Sequence, residues 1–203
     1  MKILNLYAGI GGNRKLWEDV EVTAVEMNPK IAAIYQEFFP NDKVVVGDAH
    51  QYLLDHFKEF DFIWSSPPCP THSRLNNSFK GDGNWGGKIR YPDMKLYEEI
   101  ILLKHFFKGM WCIENVISYY NPLIKPRELA NHYFWTNFHI SEIPASSRRH
   151  YDSLDKLGEL KGFNIDKYKI DNKRKILRNC VVPAVGLHIL NESKRDIQGD
   201  LFK

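Results

Sequence analysis

Apolar and polar positions along the first half of the chain follow two alternating periods. Short apolar runs predict buried strands at 2–7, 22–27, 43–49, 60–64 and 110–116. Segments with helical spacing separate them and predict helices at 12–20, 29–39, 50–57 and 91–109. This order predicts an α/β fold, in which a mostly parallel central sheet carries helices on both faces.

The pattern weakens in the second half of the chain. The segment 132–140 reads as a strand, and the segment 181–190 has a spacing that suits a helix. The stretch 74–92 is rich in Gly, Asn and Lys and is long for a connection, so it predicts either a functional loop or a solvated one. A chain of 203 residues is enough for one domain with a sizeable core, and we expect a single domain over 1–203.

Composition narrows the class of protein. No apolar stretch approaches the ~20 residues that cross a bilayer, so we expect no membrane span. The N-terminus begins a strand at once and lacks the apolar region of a signal peptide. The 3 cysteines are far apart and form no CxxC pair, which predicts a reducing, cytoplasmic setting without a disulfide framework or structural zinc.

Charge is unevenly distributed, although the net value is only +3. The segment from Arg148 to Arg178 carries 10 Lys or Arg against 5 Asp or Glu. This excess favours a surface that contacts phosphates, or equally a solvated segment rich in lysine.

A glycine-rich turn and two acidic residues follow the first three predicted strands. Gly9 lies in the turn after the first strand, Glu26 ends the second, and Asp48 ends the third. Ligands bind at the carboxyl edge of such sheets, where Glu26 could meet a ribose, Asp48 an adenine amino group, and Tyr7 the adenine ring. The acids could instead cap the following helices. The turn lacks a Walker lysine and the full dinucleotide motif, so S-adenosylmethionine is the cofactor that fits better.

Cys69 follows the fourth strand at the same predicted sheet edge, inside the sequence "SPPCP". Prolines fix the backbone around it and hold the thiol in a rigid turn at the mouth of the predicted pocket. Arg74 and Arg148 are candidates to lower the pKa of the thiol. Glu114 ends the neighbouring strand and brings a carboxyl beside it, whereas Cys112 is expected to be an inert, buried residue.

Several motifs stand in the order found in the DNA cytosine-5 methyltransferases. These are "LYAGIGG", "VEMNP", "GDA", "SPPC" and "ENV", and the resemblance covers roughly 1–120. "SSRRHY" (146–151) resembles a degraded arginine motif, and "RNCVVPAVG" (178–186) resembles the family's last motif. The chain therefore resembles a compact, phage-like member of this family with a reduced target-recognition region, placed at 117–177.

The resemblance implies a covalent mechanism on a cytosine that has left the duplex stack. Cys69 would add to C6 of the base, Glu114 would bind N3 and the 4-amino group, and Arg148 would contact O2. It also implies the residues that line the S-adenosylmethionine site, which are Tyr7, Gly9, Gly11, Gly12, Glu26, Met27, Asp48, Ala49, Pro68, Asn179 and Cys180. The 74–92 segment stands where the family has a loop that closes over DNA, and its Lys80, Lys88 and Arg90 could meet phosphates.

Two departures from the family pattern leave alternatives open. The arginine motif lacks its glutamine, and His150 stands where a second arginine is expected. Only 151–177 separates that motif from the last one, so the enzyme could read a short site, read DNA with 117–142, or need a partner subunit; otherwise we expect a monomer. Competing activities are amino methylation of cytosine or adenine in DNA, cytosine-5 methylation of tRNA, and a non-catalytic DNA-binding role.

Overall fold

A seven-stranded sheet forms the centre of the computed structural model, which describes residues 1–74, 91–143 and 153–200. The strands are β1 (Lys2–Leu6), β2 (Glu21–Glu26), β3 (Lys43–Val46), β4 (Phe62–Ser65), β5 (Met110–Val116), β6 (Arg127–Leu129) and β7 (His132–Thr136). Their order is β3-β2-β1-β4-β5-β7-β6. The first five strands are parallel, and β7 runs antiparallel to both β5 and β6. The predicted α/β fold with a mostly parallel sheet is confirmed.

Helices cover both faces of this sheet. They are α1 (Pro29–Phe38), α2 (Ala49–His56), α3 (Lys95–Phe106), α4 (Leu154–Lys161), α5 (Lys173–Asn179) and α6 (Pro183–Asp200), with a 3-10 turn at Phe57–Glu59. In the described part of the chain, no helix has the length and apolar character that crossing a membrane would need.

Alternation along the strands divides the core into two layers. Ile3, Trp64 and Cys112 face α6, whereas Leu4 and Ile63 face α2 and α3. This alternation follows from the two-residue period of a strand, and burial of both faces explains why the strands are apolar throughout. A third cluster joins α1 to α4 and α5 beside the glycine turn.

Strand order reverses between β1 and β4. β1 lies between β2 and β4, so the connections that leave β1 and β4 diverge at the carboxyl edge of the sheet. This topological switch point is where open α/β sheets bind ligands. It brings the glycine turn after β1 next to the proline-rich turn after β4.

The predicted helix over 12–20 is wrong. Residues 12–16 form turns instead, because side chains there bond to distant parts of the fold. The Asn13 and Asn5 side chains hydrogen bond to each other, with Asn13 Nδ2 2.8 Å from Asn5 Oδ1. The Arg14 guanidinium donates to both carboxylate oxygens of Asp42 at 2.9 and 3.0 Å. These tertiary hydrogen bonds override the local helical spacing.

Candidate active site

The cleft at the switch point is lined by four of the residues predicted to bind the cofactor. Tyr7, Met27, Asp48 and Pro68 line one cavity, together with Pro67, His72, Asp93, Lys95 and Leu96. Met27 is 63% exposed there, although it is large and apolar. Apolar walls beside carboxylates suit the ring and the hydroxyls of an adenosine group, so the residues present fit S-adenosylmethionine.

The three glycines of the turn have different surroundings. Gly9 has a φ of +55°, and a Cβ placed there would meet no atom within 4 Å, so its backbone borders open space. Gly11 packs against the rings of Tyr35 and Phe39. A Cβ at Gly12 would lie 2.7 Å from Cys180 Cβ. Gly9 therefore borders open space, while Gly11 and Gly12 allow close packing within the protein; the ligand contacts of all three stay predictions.

Two carboxylates end neighbouring strands at this edge, as predicted. Glu26 accepts hydrogen bonds from the backbone N–H groups of Gly9 at 3.0 Å and Asn28 at 2.9 Å, so it holds the glycine turn. Asp48 is the N-cap of α2, because its Oδ1 accepts from His50 N at 2.8 Å and Gln51 N. These backbone donors hold the pKa of Asp48 below its ordinary value. Asp48 thus caps a helix and also lines the cleft, and Ala49 begins that helix.

A buried carboxylate lies beneath the cleft. Glu99 of α3 is fully buried and accepts hydrogen bonds from Tyr7 Oη at 2.7 Å and Ser65 Oγ at 2.6 Å. Its Oε1 also lies 3.1 Å from His50 Nδ1. Burial and this carboxylate raise the pKa of Tyr7 well above its ordinary value. Glu99 therefore joins the glycine turn, the end of β4 and the start of α2.

Cys69 lies in a turn that several hydrogen bonds fix. Its carbonyl accepts from His72 N at 3.0 Å and Ser73 N at 3.1 Å. Asn115 Nδ2 donates to Pro67 O at 3.0 Å, which ties the end of β5 to the turn. His72 is buried, and its Nδ1 lies 2.6 Å from the Tyr120 hydroxyl. The rigid turn predicted from the prolines is thus anchored from β5 and from the segment that follows it.

The environment of the thiol differs from the one predicted. Burial, followed by the negative charge of Glu114, raises the pKa of the Cys69 thiol. Lys175 of α5 opposes this and is, among the described residues, the side-chain cation that lowers the pKa of the thiol. Arg74, predicted for that role, donates its Nε to Ser118 O at 3.4 Å. The carboxyl of Glu114 acts on the thiol through its charge, and the thiolate is not favoured in this state.

Glu114 is buried at the end of β5, and several ionisable groups surround it. His132 Nε2 lies 3.7 Å from its Oε1. The field of Glu114 also reaches Cys69 and the buried Lys161. These neighbours come from three different elements, so the fold gathers them around one carboxyl. Buried carboxyls with such partners are common at reactive sites.

The predicted last motif packs against the glycine turn. The Cys180 sulfur accepts the Gly12 backbone N–H, and its own pKa is raised to about 12, chiefly by burial. The Lys161 ammonium donates to Cys180 O, and burial lowers the pKa of this lysine. Asn179 is exposed at the end of α5. The motif therefore closes over the turn through Cys180.

Some predicted residues lie outside the described part of the chain. Arg148 and His150 fall in 144–152, and Lys80, Lys88 and Arg90 fall in 75–90. The roles assigned to them stay predictions. Within the described ranges, no group of three or more His, Cys, Asp or Glu could hold a metal ion. The cysteines are free thiols, and Cys112 is fully buried as predicted.

Sequence reasoning missed Glu99, His132, Lys161 and Lys175. Two of these carried a signal. Glu99 stands at helical spacing with buried Leu96 and Leu103, and Lys161 follows Leu157 on the buried face of α4. A charged residue at an apolar position of a helix is uncommon unless it is paired.

Comparison with known proteins places this geometry in a family. Residues 1–116 match the profile described as C-5 cytosine-specific DNA methylase, which is more than half of the 203 residues. A tRNA (cytosine(38)-C(5))-methyltransferase of Spodoptera frugiperda is 31% identical over 90 residues, which are 41% of this chain and 27% of that protein. The chain thus spans about a quarter of the length of this curated relative.

Solved structures share parts of the architecture. A DNMT2 variant of Spodoptera frugiperda is 27% identical with a TM-score of 0.39, and the match covers 57% of this chain and 35% of that one. A hypothetical protein of a Thermus species is 18% identical with a TM-score of 0.44, over 66% of this chain and 73% of that one. On the family match over 1–116, the chain belongs to the C-5 cytosine-specific DNA methylases.

Proposed function

We propose that this chain is a DNA cytosine-5 methyltransferase that acts through a covalent bond between Cys69 and the target base. The observation that carries the proposal is the geometry at the switch point. A half-buried thiol in an anchored turn lies within the field of the Glu114 carboxyl, beside a cleft with adenosine-binding character. When bound, S-adenosylmethionine supplies an electrophilic methyl group.

Cys69 and Glu114 act on different atoms of the base. Cytosine C5 is a poor nucleophile, and addition of the Cys69 sulfur to C6 gives it enamine character. Glu114 binds the N3 edge and stabilises the ring as N3 takes up a proton. Removal of the C5 proton and expulsion of the thiolate then restore the aromatic ring. The raised pKa of Cys69 implies that ionisation of the thiol accompanies the arrival of the base, when the charge of Glu114 is engaged by N3.

Duplex DNA is the proposed substrate, and the family description supports it. The target cytosine must leave the stack to reach a turn as recessed as that of Cys69. Cytosine in tRNA is the second candidate, since the matched Spodoptera frugiperda relative is named a tRNA methyltransferase. Free, widely spaced cysteines favour a reducing, cytoplasmic setting. We also propose that the chain is a monomer unless a partner subunit supplies target recognition.

The test is a trapping experiment on both polymers. Purified protein is incubated with labelled S-adenosylmethionine and with duplex DNA or RNA of the same sequence that contains 5-fluorocytosine. We expect a covalent adduct with DNA, because fluorine at C5 blocks the elimination that frees the enzyme. Cys69→Ala is expected to form no adduct. Cys112→Ala keeps the Cys69 thiol and is expected to form the adduct. An adduct with RNA but not with DNA would contradict DNA methylation and support tRNA methylation instead. Adducts that still form with Cys69→Ala would refute the role of the thiol.

A further inference from the structure

A two-residue turn joins β6 to β7 next to the active site. Ala130 and Asn131 have φ values of +49° and +63°, in the left-handed region that suits hairpin turns. Asparagine tolerates this region, but alanine adopts it rarely, and such strain is found most often at functional sites. The turn leads directly into His132, the first residue of β7.

Strand pairing places His132 beside Glu114. In the antiparallel register, Val116 pairs with His132 and Glu114 pairs with Phe134, so Glu114 and His132 are diagonal neighbours on one face. His132 Nε2 lies 3.7 Å from Glu114 Oε1. The carboxyl side chain is 10% exposed and the imidazole is 35% exposed, so the ring is the more solvent-accessible member of the pair.

The other ring nitrogen fixes the tautomer. His132 Nδ1 lies 3.1 Å from Ala130 O, and a carbonyl oxygen can only accept a hydrogen bond. Nδ1 therefore carries a hydrogen, and Nε2 faces Glu114 either as a lone pair or as the second N–H of an imidazolium. This contact is attractive only when the pair holds a proton, on the imidazole or on the carboxyl, since a lone pair and a carboxylate repel each other.

We propose that His132 is a positioning residue that orients the Glu114 carboxyl toward the target base and passes on to it the proton that N3 takes up. The inference rests on the proposed function. When the Cys69 sulfur bonds to C6, the electron pair displaced from the C5–C6 double bond is accommodated toward N3. The proton that N3 takes up comes from solvent through His132 and Glu114, and the pair returns to its starting state. On elimination, the C5 proton is lost to solvent and its electron pair forms the C5–C6 double bond, while the carbon–sulfur bond breaks to release the thiolate and N3 gives its proton back through the pair.

The other groups around Glu114 do not serve this role. Cys69 is the proposed nucleophile, and Cys112 is fully buried within β5. The Lys161 ammonium donates to Cys180 O on the other side of the site. His132 alone among these neighbours joins a geometric contact with Glu114 to partial solvent access, through which a proton can be replaced.

The experiment compares His132→Gln with His139→Gln, an exposed histidine beyond the other end of β7. The rate of adduct formation with 5-fluorocytosine DNA is measured under single-turnover conditions, alongside the dissociation constant for S-adenosylmethionine. We expect His132→Gln to slow adduct formation by about 100-fold, the lower end of what a lost proton donor costs. Cofactor binding should be unchanged, and His139→Gln should match the wild type.

Chemical rescue and NMR separate this role from a structural one. Imidazole added to His132→Ala should restore part of the rate, because the half-exposed site admits it, and it should not affect His139→Ala. The ¹⁵N signals of His132 in the free protein should show hydrogen on Nδ1. A neutral ring with hydrogen on Nε2, or a His132→Gln variant as fast as His139→Gln, would overturn this inference but not the proposed function. A wild-type protein that forms no adduct with either polymer overturns the proposed function as well.

Discussion

The Cys69 thiol is held in its protonated form in this structure. Burial and the charge of Glu114 both raise its pKa, and Lys175 only partly offsets them. Arginines in the sequence led to the opposite expectation, because sequence shows which cations exist but not which of them face the sulfur. A thiol with a raised pKa is a poor nucleophile toward chance electrophiles at neutral pH. Under the proposed mechanism, the thiol would therefore become reactive only when the base is bound.

Glu114→Gln should make Cys69 more reactive in the free protein while it abolishes methyl transfer. Removal of the carboxylate charge lowers the pKa of the thiol, so iodoacetamide should alkylate Cys69 faster at a given pH near 8. Lys175→Gln should slow the same alkylation, because it removes the stabilising cation. Mass spectrometry of the modified peptide gives the rate.

Cys112 and Cys180 provide the internal control for that measurement. Both are buried in the same protein, with 0% and 8% exposure, so their alkylation should stay slow in every variant. Equal Cys69 rates in the wild type and in Glu114→Gln would show that the carboxyl does not control the thiol. Acceleration of all three cysteines would instead indicate unfolding.

The candidate site residues were easier to predict from the sequence than their neighbours. Cys69, Glu114 and Asp48 were singled out because each lies in a distinctive motif at or just after the carboxyl end of a predicted strand. Lys161 and Lys175 influence the site from helices that are distant in sequence, and a single sequence does not pair a strand end with such a helix. His132 is hidden for the same reason, since its contact with Glu114 depends on antiparallel register.

At the scale of elements, the glycine turn is clamped from two sides. Gly11 packs on α1 through Tyr35 and Phe39, and Gly12 packs on the segment that begins with Cys180. The turn thus gains its shape from the C-terminal part of the chain as well as from β1.

Gly12→Ala should destabilise the protein, whereas Gly47→Ala should be nearly neutral. A Cβ at Gly12 would lie 2.7 Å from both Cys180 Cβ and Val181 O, and backbone oxygen cannot move aside cheaply. Overpacking of this kind costs about 1–3 kcal/mol of unfolding free energy, which urea denaturation measures. A Cβ at Gly47 meets no atom within 4 Å, which makes it the matched control. Equal urea midpoints for Gly12→Ala and Gly47→Ala would contradict the close packing of Gly12 against Cys180.

Elements with strong periodicity were predictable, and those shaped by tertiary contacts were not. The fifth strand was predicted with its observed bounds at Met110–Val116, because every position in it is buried or half-buried. The strand β6 has three residues and exists only through its pairing with β7, so no periodicity marks it. The helices α4 and α5 are short, and their apolar faces are interrupted by charged residues.

At the scale of the whole molecule, one network of buried hydrogen bonds links four elements around the candidate cofactor cleft. Glu99 connects α3 with β1, β4 and α2 through Tyr7, Ser65 and His50. The hydrogen bond to Glu99 raises the pKa of His50, against the opposing effect of burial. Folding is therefore coupled to the protonation of one histidine.

His50→Gln should remove a pH-dependent part of the stability. Because the folded pKa is raised, the contribution is complete below the ordinary histidine value of about 6.5 and is lost as pH rises through the raised value. Urea unfolding of the wild type between about pH 6 and 8.5 should thus show a decline that His50→Gln lacks. His105→Gln, at an exposed position of α3, should keep the wild-type slope. Parallel pH dependence in the wild type and His50→Gln would contradict the coupling.

Helices α4 and α5 also determine what the chain can recognise alone. They lie in the region 117–177 predicted for target recognition, yet Leu157 and Leu177 pack with α1 in a common core. Their apolar faces are therefore used in the core, and on these two helices exposed basic side chains such as Lys175 are left for phosphates. Phosphate contacts bind DNA without reading its sequence.

The chain alone should therefore methylate cytosines in many sequence contexts. Bisulfite sequencing of a random duplex library, after incubation with the chain and S-adenosylmethionine, should show sites that share at most a very short motif. Binding should weaken steeply with salt, because phosphate contacts release counterions. Lys175→Gln should reduce that salt dependence without altering the distribution of contexts, and Lys156→Gln on exposed α4 serves as its control. A long, unique methylated sequence would show that the described core, or the residues at 75–90 and 144–152, reads bases directly.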